Sequence, residues 1–129
     1  MENPANLKYT KSDEWALLEG NIVTLGITDF AQDQLSDIVY VEFLVEEGDE
    51  IAASSAIVTL ESVKAASDVY TPIAGKVVAV NENLADAPDS INTDAFNAWF
   101  IKIEVGDPSA LDALMDSAAY TKFTEERAH

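Results

Sequence analysis

With 129 residues, 24 acidic side chains and only seven cationic ones, the chain carries a formal charge of −17. That balance argues against DNA, RNA and anionic membranes as partners, because phosphate recognition needs clustered Lys and Arg. It favours basic partner surfaces and a soluble monomer. The acids are scattered rather than laid out in one tract, which counts against mimicry of DNA. There is no cysteine, hence no disulfide, thiolate nucleophile or Cys-based zinc site; any redox sulfur must come from outside. No run approaches the roughly 18 apolar residues of a membrane span. The opening Met1-Glu2-Asn3-Pro4 has neither a secretory n-region and h-region nor the Arg-rich look of a presequence. A cytoplasmic protein is expected, with a mature organelle form as the alternative.

In chain order, residues 9–10 and 15–19 read as a short hairpin around polar Lys11-Ser12-Asp13-Glu14. Glu19-Gly20-Asn21 turns the chain into the β-rich run 22–27. Thr28 or Asp29 is the predicted cap of a helix over 30–35, with Phe30, Ala31 and Leu35 on one face. Residues 38–45 alternate as a strand, Ile38, Tyr40, Glu42 and Leu44 opposing Val39, Val41, Phe43 and Val45. A turn at Glu47-Gly48-Asp49-Glu50 follows, with Gly48 suited to positive φ. Strands are expected at 56–60, 69–71 and 76–80, then a polar loop with brief helical turns over 81–97, and a closing strand over 98–105. Asp107-Pro108 reads as an N-cap with Pro at N1, and Leu111, Leu114 and Met115 have helical spacing across 109–115. Ser117 is the predicted cap of a last helix carrying Tyr120 and Phe123, and 125–129 is expected to fray.

Many short strands with little helix between them predict a sandwich or a closed barrel. The runs 45–51 and 73–78 each join a glycine turn to an apolar strand, a weak internal echo that suggests a two-fold arrangement. One domain is expected over 1–129, with a core at 7–105 and a helical segment at 107–127.

The chemistry concentrates on Lys64, in Leu60-Glu61-Ser62-Val63-Lys64-Ala65-Ala66-Ser67-Asp68. The lysine falls near the bend of the hairpin made by the strands at 56–60 and 69–71, among small residues. A lone lysine on a turn is by itself usually a solvated charge. A long amine on a bare, protruding turn also suits an enzyme that must grip and acylate it. Glu61 and Asp68 nearby favour the ammonium form, so the modifying enzyme must deprotonate it.

Glu61-Ser62-Val63-Lys64-Ala65-Ala66-Ser67-Asp68 resembles the lipoylation sequence of the glycine cleavage system H protein family. The similarity continues through Leu7-Lys8-Tyr9-Thr10-Lys11-Ser12-Asp13-Glu14-Trp15, Gly26-Ile27-Thr28-Asp29-Phe30-Ala31-Gln32, Asp37-Ile38-Val39-Tyr40-Val41, the stretch from Asn81 through Pro88 to Ile91-Asn92, and Trp99-Phe100-Ile101-Lys102-Ile103. The resemblance implies a mostly-β hybrid barrel-sandwich of the lipoyl/biotinyl type with short C-terminal helices. It implies lipoic acid carried covalently on Lys64, within a modification motif of Glu61, Ser62, Val63 and Ala65. Biotinyl carriers set their lysine between methionines, whereas Val63 and Ala65 flank this one.

The same resemblance implies a non-catalytic carrier. It shuttles the aminomethyl group of glycine from a pyridoxal-phosphate glycine decarboxylase (P protein) to a tetrahydrofolate-dependent aminomethyltransferase (T protein). It presents dihydrolipoyl to dihydrolipoamide dehydrogenase (L protein), and a lipoate ligase or lipoyl transferase loads it. The alternative is an H-like relay that passes lipoate to other lipoyl domains; a fold-retaining acidic interaction module is a further rival. Ser12, Glu14 and Asp68 fall where the resemblance puts a cleft for the loaded arm, though sequence alone favours reading them as solvated turn residues.

Two positions depart from the family. Asp13 stands where a histidine is usual, adding an acid near the cleft and removing a pH-responsive group. Phe96-Asn97-Ala98 replaces a glycine-rich stretch before Trp99, which bears on a loop that faces partners. Trp15 and Trp99 read as packing residues and terminal His129 as solvated. No Ser-His-Asp set or phosphate-binding glycine loop can be assembled.

Overall fold

The computed structural model describes residues 3–127; His129 and its expected solvation lie outside the described residues. The chain runs β1 (Lys8–Tyr9), β2 (Glu14–Glu19), β3 (Ile22–Ile27), α1 (Asp29–Leu35), β4 (Ile38–Phe43), β5 (Glu50–Ile51), β6 (Ala56–Ser62), β7 (Ala66–Tyr70), β8 (Gly75–Val80), α2 (Asn83–Asp86), α3 (Ser90–Thr93), β9 (Ile101–Glu104), a 3₁₀ turn (Pro108–Ala113) and α4 (Ser117–Arg127). Two antiparallel sheets form, ordered β1-β2-β3-β9-β8-β5 and β4-β6-β7. They pack as an open sandwich rather than a closed barrel. Between them lies the main core, in which Val23, Leu25, Val77, Ile101 and Ile103 of the larger sheet join Val41, Val58, Leu60 and Val69 of the smaller. Among the described residues no helix is long and apolar enough to cross a membrane.

The two echoing runs pair with each other: Glu50 and Ile51 of β5 face Lys76 and Gly75 of β8. Gly48, at φ +99°, donates its N–H to the Val77 carbonyl. The glycine turn thus delivers one run onto the other.

Several expectations are corrected. The strand from Ile38 ends at Phe43, and a bulge between Ile38 and Tyr40 breaks its simple alternation. One extra residue turns Ile38 and Val41 inward together and leaves Val39 and Tyr40 exposed. The strands flanking Lys64 are longer than predicted and the turn between them tighter. The helical spacing over 109–115 stops at Ala113, after which extended Leu114 leads Met115 into a bridge with Tyr9. The cap of the last helix is Asp116, whose carboxylate accepts from the Ala119 N–H; Ser117 is the first residue inside it.

That helix persists to Arg127 instead of fraying from 125. The Arg127 guanidinium lies 4.9 Å from the Phe30 ring centroid and 5.0 Å from that of Phe123, and it forms an ion pair with Asp13. Such stacking and pairing offset the entropy of ordering a helix end. A second cluster, Leu7, Tyr9, Trp15 and Tyr120, fixes α4 against the β1–β2 hairpin. Tyr9 and Tyr120 stack there with centroids 4.7 Å apart.

Candidate functional site

Lys64 is the middle residue of the three-residue connection, Val63-Lys64-Ala65, between β6 and β7, with Ser62 and Ala65 closing its base. The Ser62 N–H donates to the Ala65 carbonyl at 2.8 Å. The Ser62 hydroxyl accepts from the N–H groups of Lys64 and Ala65 and donates to the Ala65 carbonyl. One small side chain therefore satisfies the backbone of the whole bend. The Val63 N–H is tied to the Asp37 carbonyl, which pins the tip to the start of β4. The Val63 side chain is 65% exposed, and Glu61, Lys64 and Ala65 are exposed beside it.

The lysine amine donates to the Gln34 carbonyl in the last turn of α1, at 3.2 Å. It makes no ion pair with Glu61 or Asp68, and Asp68 instead accepts from the Thr59 hydroxyl at 2.8 Å. The direct partner of the ammonium is thus a helix-end carbonyl, where a cation is favoured.

Ser12, Glu14 and Asp68 do come together. All three border a cavity of about 210 Å³ with an apolar flank of Ile27, Ala31, Leu35, Leu60 and Val69. Gln34, the partner of the Lys64 amine, also lines it, so the cavity extends from beside the lysine to Glu14. A second cavity, of about 340 Å³, shares Ser12 and Glu14 and continues past Tyr70 to Leu114 and Met115.

Glu14 is the hinge between the two cavities and is only 2% exposed. Its Oε1 accepts from the hydroxyls of Thr10 and Ser12, each at 2.6 Å, and its Oε2 accepts from the Tyr70 N–H at 3.2 Å. Burial pushes its carboxyl above the usual range. The hydrogen bonds from Ser12, Thr10 and Tyr70 oppose that shift, and the neighbouring Asp13 charge adds to it.

The Tyr70 bond reveals how β7 is used. Thr71 exchanges main-chain bonds with Ser54 and Ser55 on the β6 side. The period of two then turns the backbone groups of Tyr70, Asp68 and Ala66 outward. β7 is an edge strand of the smaller sheet, and its free edge borders the cavity.

Asp13 does not add a free acid to the cleft. Its oxygens accept from Arg127 at 2.6 and 3.0 Å, and Oδ1 also accepts from the Tyr120 hydroxyl. Around Lys64 the structure brings together Ser12, Glu14 and Asp68, which sequence reading named, with Thr10, Gln34 and Arg127, which it did not. Thr10 had a local signal, a hydroxyl four residues before a carboxylate across one turn. Gln34 and Arg127 had none, since their partners lie far away in the chain. Phe96 packs in the second cluster, and the Ala95 carbonyl accepts from the Trp15 indole at 3.1 Å; the unusual stretch before Trp99 therefore anchors Trp15. Trp99 packs at the edge of that cluster with Lys102 over its ring.

The family model described as Glycine cleavage H-protein matches residues 7–127. The glycine cleavage system H protein of Anaeromyxobacter sp. (strain K) is 49% identical over 128 residues, covering 98% of this chain and 99% of the relative. That of Alkaliphilus oremlandii is 50% identical over 128 residues, covering 99% and 100%. The crystal structure of a glycine cleavage system H protein from Mycobacterium marinum superposes with a TM-score of 0.82 at 29% identity, covering 95% of this chain and 99% of that one. The chain belongs to the glycine cleavage H-protein family.

Proposed function

We propose that Lys64 is the lipoyl attachment residue of this chain, and that the cavity between α1 and β7 is the cleft that receives the loaded arm. The chain is the lipoylated carrier of the glycine cleavage system, as its full-length family match requires. The relay role toward other lipoyl domains has no comparable support. The observation that carries the site is the course of the 210 Å³ cavity, from Gln34 beside the Lys64 amine to the buried Glu14 carboxylate.

The residues present fit a lipoyl group. Ile27, Ala31, Leu35, Leu60 and Val69 offer an apolar flank to a hydrocarbon chain, and Ser12, Glu14 and Asp68 offer acceptors to an amine at its far end. When bound, the group supplies a redox-active dithiolane on a long flexible arm, the sulfur that a cysteine-free chain lacks. The chain's own part is presentation and shielding. The tight Ser62–Ala65 bend holds the lysine on an exposed tip, where its Nζ rests on the Gln34 carbonyl until a modifying enzyme lifts and deprotonates it to form an amide. Glu14, buried and hydrogen-bonded three times, is a fixed acceptor at the cavity's inner end, where a protonated amine is stabilised.

The chain's other roles follow from the same reading. It is a substrate for other enzymes and turns nothing over itself. Its partners are the glycine decarboxylase, the aminomethyltransferase, the dihydrolipoamide dehydrogenase and the lipoate ligase or transferase, which meet the Lys64 tip. Exposed Val39, Tyr40 and Val63 surround that tip and give such enzymes an apolar contact. A cytoplasmic place of work is supported by the bacterial origin of the relatives, and residues 1–129 act as one carrier unit.

The deciding experiment is intact mass with peptide mapping after incubation with a lipoate ligase, lipoic acid and ATP. A gain of one lipoyl group on Lys64 alone is expected. Absence of any gain on folded protein with a competent ligase overturns the assignment.

A further inference from the structure

The turn that carries Ser12 and Glu14 is held by the far end of the chain. Asp13 has φ +72°, a left-handed conformation that costs a non-glycine residue energy and that Asp tolerates better than most. At the end of the turn the Asp13 N–H donates to the Thr10 carbonyl, and the Thr10 N–H donates to the Glu14 carbonyl. This backbone sends the Asp13 side chain toward α4, while Ser12 and Glu14 reach the cavities. On the α4 side Asp13 meets a built clamp. Arg127 grips both its oxygens, and the Tyr120 hydroxyl donates to one of them. Tyr120 in turn accepts from the hydroxyl of Thr28, which also caps α1. Arg127 is itself held between Phe30 and Phe123. One network thus joins α1, α4 and the β1–β2 turn, and Asp13 and Arg127 both border the 210 Å³ cavity.

We propose that Arg127 is a positioning residue of the cleft: by clamping Asp13 it fixes the strained turn so that Glu14 stays docked on the free edge of β7. The inference rests on reading that cavity as the arm cleft, and it adds the C-terminal helix to the machinery.

The edge strand supplies a reporter that needs no cargo. The Tyr70 N–H points away from β6, and its partner is the Glu14 carboxylate. Its hydrogen exchange in the unlipoylated protein therefore reports the docking of Glu14. Arg127→Gln is expected to raise Tyr70 exchange about tenfold, the scale of losing a hydrogen bond to a charged acceptor, while central ladder amides of β3 and β9 keep their protection. Asp13→Asn, which keeps tolerance for positive φ but loses the ion pair, should act in the same direction. Arg127→Lys, with the charge but not the fork, should fall between. Unchanged Tyr70 exchange in both Arg127→Gln and Asp13→Asn overturns the proposal, and so does a rise shared equally by β3 and β9, which would mark a merely structural role. Lipoylation of the wild-type chain is scored separately, so a failure of the Lys64 assignment is distinguishable from a failure of the clamp.

Discussion

The amine of Lys64 donates to the carbonyl oxygen of Gln34, 30 positions earlier, at 3.2 Å. The amine on the bare turn therefore rests against the C-terminal end of α1, and the proposed assignment requires it to be lifted off before acylation. Lys64→Arg keeps a cation able to reach the same carbonyl but removes the acylable amine. Unchanged circular dichroism and no lipoyl mass gain are expected. Lipoylation surviving at another lysine would sink the assignment.

Ser62 satisfies the bend with one hydroxyl, accepting twice and donating once. Ser62→Ala leaves two exposed N–H groups to water, so global stability should fall by no more than about 1 kcal/mol. The rate of lipoylation should drop further, because the ligase meets a lysine no longer held in one geometry. Paired denaturant melts and ligase kinetics check this; an unaltered rate would mean the bend is formed by its backbone alone.

Glu14 introduces a pH dependence whose sign is fixed by linkage. Its native pKa is raised above the ordinary 4.5, so the folded state binds the extra proton between the two values. Stability from this residue is present below 4.5 and is lost as pH rises through the native value. The charged groups around it are Asp13 with Arg127, Asp68, and Lys11 on the side of the larger cavity. Glu14→Gln keeps an acceptor for the two hydroxyls and cannot ionise. Its stability relative to wild type should therefore increase from pH 4.5 upward and then level. A relative stability that falls over that window refutes the buried-acid reading.

Gly26 lies where β3 passes beneath Trp15. A Cβ there would stand 2.5 Å from the indole ring, well inside contact. Gly26→Ala should force the ring aside, cost about 1–3 kcal/mol as overpacking does and break the indole bond to the Ala95 carbonyl. Urea unfolding and Trp fluorescence read the two effects.

Much of this was legible from residues alone, and the limits have physical causes. Apolar alternation, glycine turns and the Thr28 cap depend on neighbours a few positions apart, so the hairpins and α1 emerged with small errors at their ends. The bulge at Ile38 to Tyr40 escaped because inserting one residue changes which side chains face inward without leaving any compositional mark. Asp13 was visible only as an extra acid near the cleft, and Arg127 only as one of seven cations. What makes them partners is the docking of α4 on Tyr9 and Trp15, a contact between the two ends of the chain. The exposed turn that carries Lys64 was legible because a hairpin bend among small residues is a local feature. The cleft needed the resemblance to suggest it, since α1, β2 and β7 meet only after the sandwich closes.

A sheet edge left unpaired beside a cavity is also open to another copy of the same chain. β7 limits that hazard by being five residues long, by carrying Asp68 at its centre and by having Glu14 occupy the Tyr70 end. Mutual repulsion from the −17 charge adds to this protection. That repulsion weakens as the medium is acidified toward the chain's isoelectric point near 4.1, so self-association through β7 should set in there.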